Sequence, residues 1–181
     1  MSFNLSIAKL SENELKNLID NGKRVSKVDG FEFESAIHFS YGFVKEIIPN
    51  LIKIGNFEKL IASAFRDRGI GYQDNEIRWL DHNSLLQFVL WIKDEIEAIN
   101  ELEKNYLSSD PESDMISAGI NDLNQFGLLN TIDQLAGGDI LKWNEIRKLP
   151  YSVVFDKMYK NTIEGNIQKK MNKIMTSKNK R

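Results

Sequence analysis

The sequence predicts an all-α fold, in which a helical body with a long central helix precedes a smaller C-terminal helical unit that ends in a basic amphipathic helix. Apolar residues recur at steps of three and four along most of the chain, which is the spacing of one helix face. The 181 residues include 3 Pro and 11 Gly, whereas an all-β fold needs many tight turns. The alternative that the pattern leaves open is an α+β fold with a short hairpin within residues 31–80.

Two short helices of the body are predicted from their caps. Ser11 and Glu14 form a capping box, and the helix that they open ends at Asn21-Gly22. Asn56 caps a second helix that runs to Phe65. The inner face of this second helix consists of Phe57, Leu60, Ile61 and Phe65.

Residues 31–43 fit two patterns. The alternation of a strand is carried by Phe31, Phe33, Ile37, Phe39, Tyr41 and Phe43. The spacing of a helix is carried by Phe33, Ile37, Tyr41, Val44 and Ile48. We favour the helix because the second pattern continues to Ile48, after which Pro49 ends it.

The central helix is predicted from about Asn83 to Leu107. Its apolar stripe consists of Leu85, Val89, Ile92, Ile96, Ile99 and Tyr106. The preceding stretch, Arg66 to Asn83, has no apolar period, and a short hairpin would fit there. The polar stretch 108–114 contains a proline and no apolar residue, which is typical of a linker.

The C-terminal unit is predicted to hold three helices. One runs over 116–135 and stops at Gly137-Gly138, and Asp139 caps a short second helix. Pro150 opens the last helix, whose apolar positions are Tyr151, Val154, Phe155, Met158, Ile163, Ile167, Met171 and Ile174. The predicted domains are therefore a body (1–107), a linker (108–114), a C-terminal helical unit (115–175) and a disordered basic tail (176–181).

The charge of the chain is divided between its two parts. Residues 1–141 hold 13 Lys and Arg against 23 Asp and Glu, a net charge of −10, and residues 142–181 hold 11 against 3, a net charge of +8. A basic amphipathic helix after an acidic body predicts contact with something acidic: a second copy, another protein or nucleic acid. The basic helix could equally fold back onto its own body.

The predicted partner-binding residues lie in and before the last helix. They are Trp143, Tyr151, Phe155, Met158, Lys169, Lys170 and Lys173. An amphipathic helix that lies in a groove uses apolar anchors inside and cations on the rim, and Trp143 should anchor the turn between the last two helices. Because large apolar side chains need burial, we favour a protein partner over nucleic acid.

Catalytic and metal-binding patterns are weak in this sequence. Asp81-His82-Asn83-Ser84 is typical of a helix start, and His38 lies in an apolar stretch. Arg66-Asp67-Arg68-Gly69-Ile70-Gly71 lacks the strand and helix that flank a nucleotide-binding loop. With no Cys, the chain has neither disulfides nor thiolate metal sites. We therefore predict a non-enzymatic protein without metal or cofactor.

One segment of the chain resembles a known class of proteins. Gly137 to Ile146, Leu149 to Phe155, Glu164 and Gln168-Lys169-Lys170 are similar to the C-terminal part of small bacteriophage tail-assembly and virion accessory proteins. The shared features are a Trp, a Pro-Tyr helix start and a charged amphipathic helix, over about 40 residues. The resemblance implies a non-enzymatic assembly role through contacts with phage structural proteins, in the host cytoplasm or in the virion. We also expect contact with a second copy as an alternative, and no membrane partner, since the longest apolar runs are far below the roughly 18 residues of a transmembrane helix.

Overall fold

The computed structural model describes residues 26–28, 30–71, 82–108 and 113–179. Apart from one small hairpin the architecture is all-α, as predicted. Strands β1 (Lys27–Val28) and β2 (Phe31–Glu32) pair antiparallel, with Val28 opposite Phe31. The α-helices are α1 (Ile48–Lys53), α2 (Phe57–Asp67), α3 (His82–Tyr106), α4 (Ser113–Ser117), α5 (Leu128–Ala136), α6 (Trp143–Lys148) and α7 (Tyr151–Asn179). The helix predicted at 11–22 lies outside the described residues.

Residues 31–43 do not form the helix that we favoured. After β2 the chain makes a 3-10 turn at Ala36–His38, and helical backbone begins only at Tyr41. The carboxylate of Glu95 accepts hydrogen bonds from the hydroxyl of Ser35, at 2.6 Å, and from the first N–H of the turn, at 2.7 Å. These tertiary hydrogen bonds replace the ladder of a helix, so the strand alternation and the helix spacing each describe only part of the segment.

Pro49 does not end the first helix, contrary to the prediction. Residues Phe43–Ile47 form a π-helical turn, in which the N–H of Ile48 donates to the carbonyl of Phe43. The wider turn places Pro49 at the start of α1, where its missing N–H removes no α-helical hydrogen bond. The helical path therefore continues through the proline.

Helices α2 and α3 confirm their predictions. The side chain of Asn56 caps α2 by accepting a hydrogen bond from the N–H of Lys59. Helix α3 differs from the predicted span by one residue at each end. The predicted irregular stretch before it lies largely outside the described residues, so the hairpin suggested there stays a prediction.

The core is built around α3 and a cluster of aromatic rings. The ring of Phe33 lies 5.0 Å from that of Phe88 on α3 and 5.2 Å from that of Phe65 on α2, measured between centroids. Fully buried aliphatic side chains complete this core, among them Ile48, Leu60, Ile61 and Ile92. The hairpin, α1 and α2 thus share one interior with the central helix.

The predicted helix over 116–135 is broken into three pieces. Between α4 and α5 lies a 3-10 segment at Ile120–Phe126. Gly119 and Gly127 separate the pieces with φ values of +87° and +50°, a conformation that favours glycine and interrupts a right-handed helix. Helix α4 begins at Ser113, inside the predicted linker, and α5 ends at Gly137 as predicted.

The C-terminal residues join the same core as the body. The N–H of Tyr151 donates to the carbonyl of Phe39, and the N–H of Tyr41 donates to the carbonyl of Leu149, both at 2.8 Å. Ile132 and Tyr151 are fully buried in the cluster that α2 and α3 form. The division into domains at 108–114 stays a prediction. Helix α7 runs to Asn179, so residues 176–179 of the predicted disordered tail are helical.

Candidate docking surface

Helix α7 has two different apolar faces. Near its start Tyr151 and Val154 are buried in the core, and Phe155 and Met158 are half-buried against it. We call these four residues the anchor face. They lie on one side of the helix, and they fasten its first two turns to the body.

The apolar stripe changes side in the middle of α7. The step from Met158 to Ile163 is five residues, which breaks the spacing of three and four that keeps side chains on one face. Nine residues separate Met158 from Ile167, about two and a half turns of an ideal helix. Since α7 is continuous, the side chains of these two residues lie on opposite sides of it.

The second face of α7 is exposed in the chain. Its apolar side chains keep between 43 % and 58 % of their surface accessible, and we call them the distal stripe: Ile163, Ile167, Met171, Ile174 and Met175. Lys178 is exposed on the same side and Lys170 beside it, whereas Lys173, five turns after Phe155, is exposed on the side of the anchor face. The eight predicted apolar positions of the last helix, together with Met175, thus form two stripes, and the first of them packs against the body.

A partly buried polar cluster holds the anchor face in place. The hydroxyl of Tyr151 donates to Oε1 of Glu103 at 2.8 Å, and Nζ of Lys45 lies 2.6 Å from Oε2 of the same carboxylate. Burial raises the pKa of the Tyr151 hydroxyl well above its usual value, and the hydrogen bond to Glu103 raises this pKa further. The phenol therefore stays protonated and remains a donor, which ties α7 to α3 and to the π-helical turn.

Trp143 packs within the chain. Its side chain is half-buried against the core, and its Nε1 donates to Oδ1 of Asp133 at 3.1 Å. This contact ties α6 to α5, while Arg147 of α6 forms an ion pair with Glu46 at 3.0 Å. We therefore assign Trp143 a packing role inside the C-terminal part of the chain.

The other predicted partner-binding residues fall into two groups. Tyr151 is fully buried, and Phe155 and Met158 cover the core, so none of the three offers a free docking face in this chain. Lys170 and Lys173 are exposed on the distal half of α7, whereas Lys169 is half-buried. The structure thus does not bring the seven residues together on one surface.

A cleft with both polar and apolar lining residues separates the distal half of α7 from the body. It has a volume of about 650 Å³ and lies between α3, α5 and α7. The lining residues include Asn100, Gln134, Asn161, Gly165 and Lys169. Of the α7 residues that line the cleft, Met158 belongs to the anchor face, and those that follow it are polar or glycine: Asn161, Thr162, Gly165, Asn166 and Lys169.

The Arg66–Gly71 segment serves the fold. The carboxylate of Asp67 accepts hydrogen bonds from the N–H of Ser40, at 2.8 Å, and from its hydroxyl. Nη1 of Arg68 donates to the carbonyl of His38 at 2.6 Å. Two of the charged residues that could have bound an anion therefore hold the irregular segment before Tyr41 in place.

The histidines and carboxylates also have local roles where the structure describes them. Helix α3 begins at His82, as its sequence predicts, and His38 lies 3.6 Å from the carboxylate of Glu34. Glu97 pairs with Lys93 along the outside of α3. Within the described ranges no three His, Asp or Glu side chains converge as metal ligands would.

Comparison with known proteins finds no match to this chain. No family model, no curated protein and no solved structure matches it. In the part of the chain that the structure describes, no helix is both long and apolar enough to cross a bilayer. The distal stripe is the feature on which the functional argument rests.

Two features of this surface were missed from the sequence. The five-residue step after Met158 was visible as a break in spacing, and projecting α7 on a helical wheel would have separated the two stripes. The role of Glu103 was not visible, because its partners Lys45 and Tyr151 lie 58 and 48 residues away in the chain.

Proposed function

We propose that this protein is a non-enzymatic docking protein that works in an assembly and binds another protein through the distal stripe of α7. The observation that carries the proposal is the exposure of five large apolar side chains on a helix whose first turns are fastened to the body. A contiguous apolar surface edged by charge marks an interaction site in soluble proteins. A cationic rim around apolar anchors fits an acidic groove or helix pair on the partner.

The anchored start of α7 favours this role. The distal half, residues 163–179, extends about 25 Å at 1.5 Å per residue. Because Tyr151 and Val154 fix the start of the helix, the stripe is held out in one direction and loses little entropy when it binds. The resemblance to phage tail-assembly and virion accessory proteins suggests a particle or its tail as the setting, with phage structural proteins as partners.

Photo-crosslinking tests the proposal directly. A photoreactive residue at Ile167 places the probe in the stripe, and the same residue at Asn172, exposed and about 140° around the helix, is the matched control. In cells that produce the full chain, we expect discrete protein adducts from position 167 and few from 172. Equal adduct patterns at both positions, or none at 167, would overturn the proposal.

The rival function is nucleic-acid binding by the lysines of the distal half of α7. Counterion release would then make affinity for a DNA or RNA duplex fall steeply with salt, linearly on logarithmic axes. Lys170→Ala would weaken such binding more than Ile167→Ala. Docking on a protein through the stripe predicts the reverse order, with Ile167→Ala the more damaging change and a shallow salt dependence.

A further inference from the structure

We propose that the partner of the distal stripe is a second copy of this chain, which receives it on the segment Ser113–Phe126. This inference rests on the proposed docking function and names its partner. In the resulting dimer each chain gives one α7 and one acidic segment, so two equivalent contacts form around a two-fold axis.

The receiving segment is a second exposed apolar surface. Helix α4 and the 3-10 segment Ile120–Phe126 contact each other across Gly119, which turns the chain with a φ of +87°. Their large apolar side chains keep between 43 % and 51 % of their surface accessible, and they are Met115, Ile116, Leu123 and Phe126. This segment therefore has apolar surface that its own chain leaves uncovered.

The charges of the two surfaces are opposite. The segment with the five residues before it, 108–126, contains four acidic residues and no Lys or Arg, and two of the four, Asp114 and Asp122, lie in the segment itself. Residues 163–181 contain six basic residues and one acidic residue. Opposite charge around two apolar surfaces steers their encounter and fixes their register. The same charges disfavour pairing of two α7 stripes, because residues 163–181 of each chain would bring a net charge of +5 to the other.

The geometry of the chain disfavours the same contact within one molecule. Ser108 and Leu128, which flank the acidic segment, line the cleft together with Gly165 of α7. The segment therefore leaves and rejoins the body on the side of α7 that continues the anchor face. The distal stripe lies on the other side, so the segment would have to cross over the helix to reach its own stripe.

Complementary charge reversal tests the pairing. One full-length variant makes the distal half of α7 acidic, with Lys170→Glu, Lys173→Glu and Lys178→Glu. The second makes the segment basic, with Glu112→Lys, Asp114→Lys and Asp122→Lys. Alone, each variant should dimerise on the order of a hundredfold more weakly than the wild type in sedimentation velocity.

Mixing the two variants should restore the dimer. In the heterodimer the acidic distal half of α7 from the first variant contacts the basic segment of the second. At the other contact the unchanged basic α7 of the second variant meets the unchanged segment of the first. Folding of each variant is checked by circular dichroism and its melting temperature. A control with the same charge change at exposed lysines elsewhere should still dimerise: Lys53→Glu, Lys59→Glu and Lys148→Glu.

Three results would overturn self-docking. These are a wild-type chain that stays monomeric at about 100 μM in low salt, a mixture of the two variants that stays monomeric, and a control variant that loses its dimer. If the photoreactive residue at Ile167 still yields adducts with other proteins in any of these cases, the docking function stands and only the identity of the partner is wrong. Loss of those adducts as well would remove both proposals.

Discussion

Glu103 gives the sharpest test of how α7 is fastened to the body. Its carboxylate is shared by Lys45 and Tyr151, which lie in the π-helical turn and in α7. Glu103→Gln keeps the shape of the side chain and removes its charge. The amide oxygen can still accept from Tyr151, whereas Lys45 loses its counter-ion.

The size of the loss follows from the burial of the pair. The side chains of Lys45 and Glu103 are 20 % and 22 % exposed. The pair therefore lies between two known cases. An exposed ion pair contributes about 0–1 kcal/mol, and disruption of a fully buried one costs about 3–5 kcal/mol. We therefore expect Glu103→Gln to lower the free energy of unfolding by about 2 kcal/mol. For a chain of this size that corresponds to a fall of roughly 4–8 °C in Tm.

Urea denaturation followed by circular dichroism measures this loss. The matched control is Glu101→Gln, which breaks an exposed pair with Lys104 at 3.7 Å and should cost less than about 0.5 kcal/mol. A double-mutant cycle with Tyr151→Phe then isolates the hydrogen bond between the phenol and the carboxylate. If Glu103→Gln and Glu101→Gln shift the urea midpoint equally, the cluster does not anchor α7.

Three further changes probe the packing around this anchor. Burial raises the pKa of the Tyr41 and Tyr151 hydroxyls above their usual value near 10, so their contribution to stability is complete below pH 10 and is lost as pH rises above it; absorbance at 295 nm should show both phenols ionising only as the chain unfolds. Gly42→Ala should lower the free energy of unfolding by about 1–3 kcal/mol in thermal melts, because the new Cβ would lie 3.1 Å from Cβ of Arg147. An unchanged Tm would show that α6 can move away from the new methyl group without loss of stability. Trp143→Ala should lower the free energy of unfolding, measured in urea, by about 2 kcal/mol, because a half-buried ring loses less than the 3–5 kcal/mol typical of a fully buried one. A loss below about 0.5 kcal/mol would refute its packing role.

Local signals in the sequence predicted much of the fold. Three of these signals depend only on residues close together in the chain, and the structure confirms each of them: the cap at Asn56, the helix end at Gly137 and the apolar spacing along α3. The failures occur where distant groups decide the backbone. Glu95 accepts a hydrogen bond from the turn before Tyr41, although it lies 59 residues further along the chain. A local sequence pattern cannot predict a hydrogen bond between residues so far apart.

The candidate surface was predicted less well than the fold. Composition predicts the basic amphipathic helix, but it does not say which aromatic residues near that helix dock on a partner, because large aromatic side chains such as Tyr151 and Trp143 mark interfaces and cores alike. The tertiary contacts bury Tyr151 in the core and leave Trp143 half-buried against it. The apolar surface of Ser113–Phe126 was not predicted, because Gly119 within the segment and Gly127 after it lie inside the single helix predicted over 116–135.

Insertions into α7 test whether docking depends on the side of the helix on which the distal stripe lies. Two alanines placed between Lys160 and Asn161 rotate everything after them by about 200°, which turns the distal stripe toward the side of Met158 and the cleft. We expect adducts from the photoreactive position 167 to fall and the variant to be monomeric, because the stripe can then pack on its own body. Four inserted alanines rotate the stripe by only about 40° and should leave the adducts in place. Since both insertions lengthen the helix but only the shorter one reverses the stripe, equal behaviour of the two variants would mean that the side on which the stripe lies does not control docking.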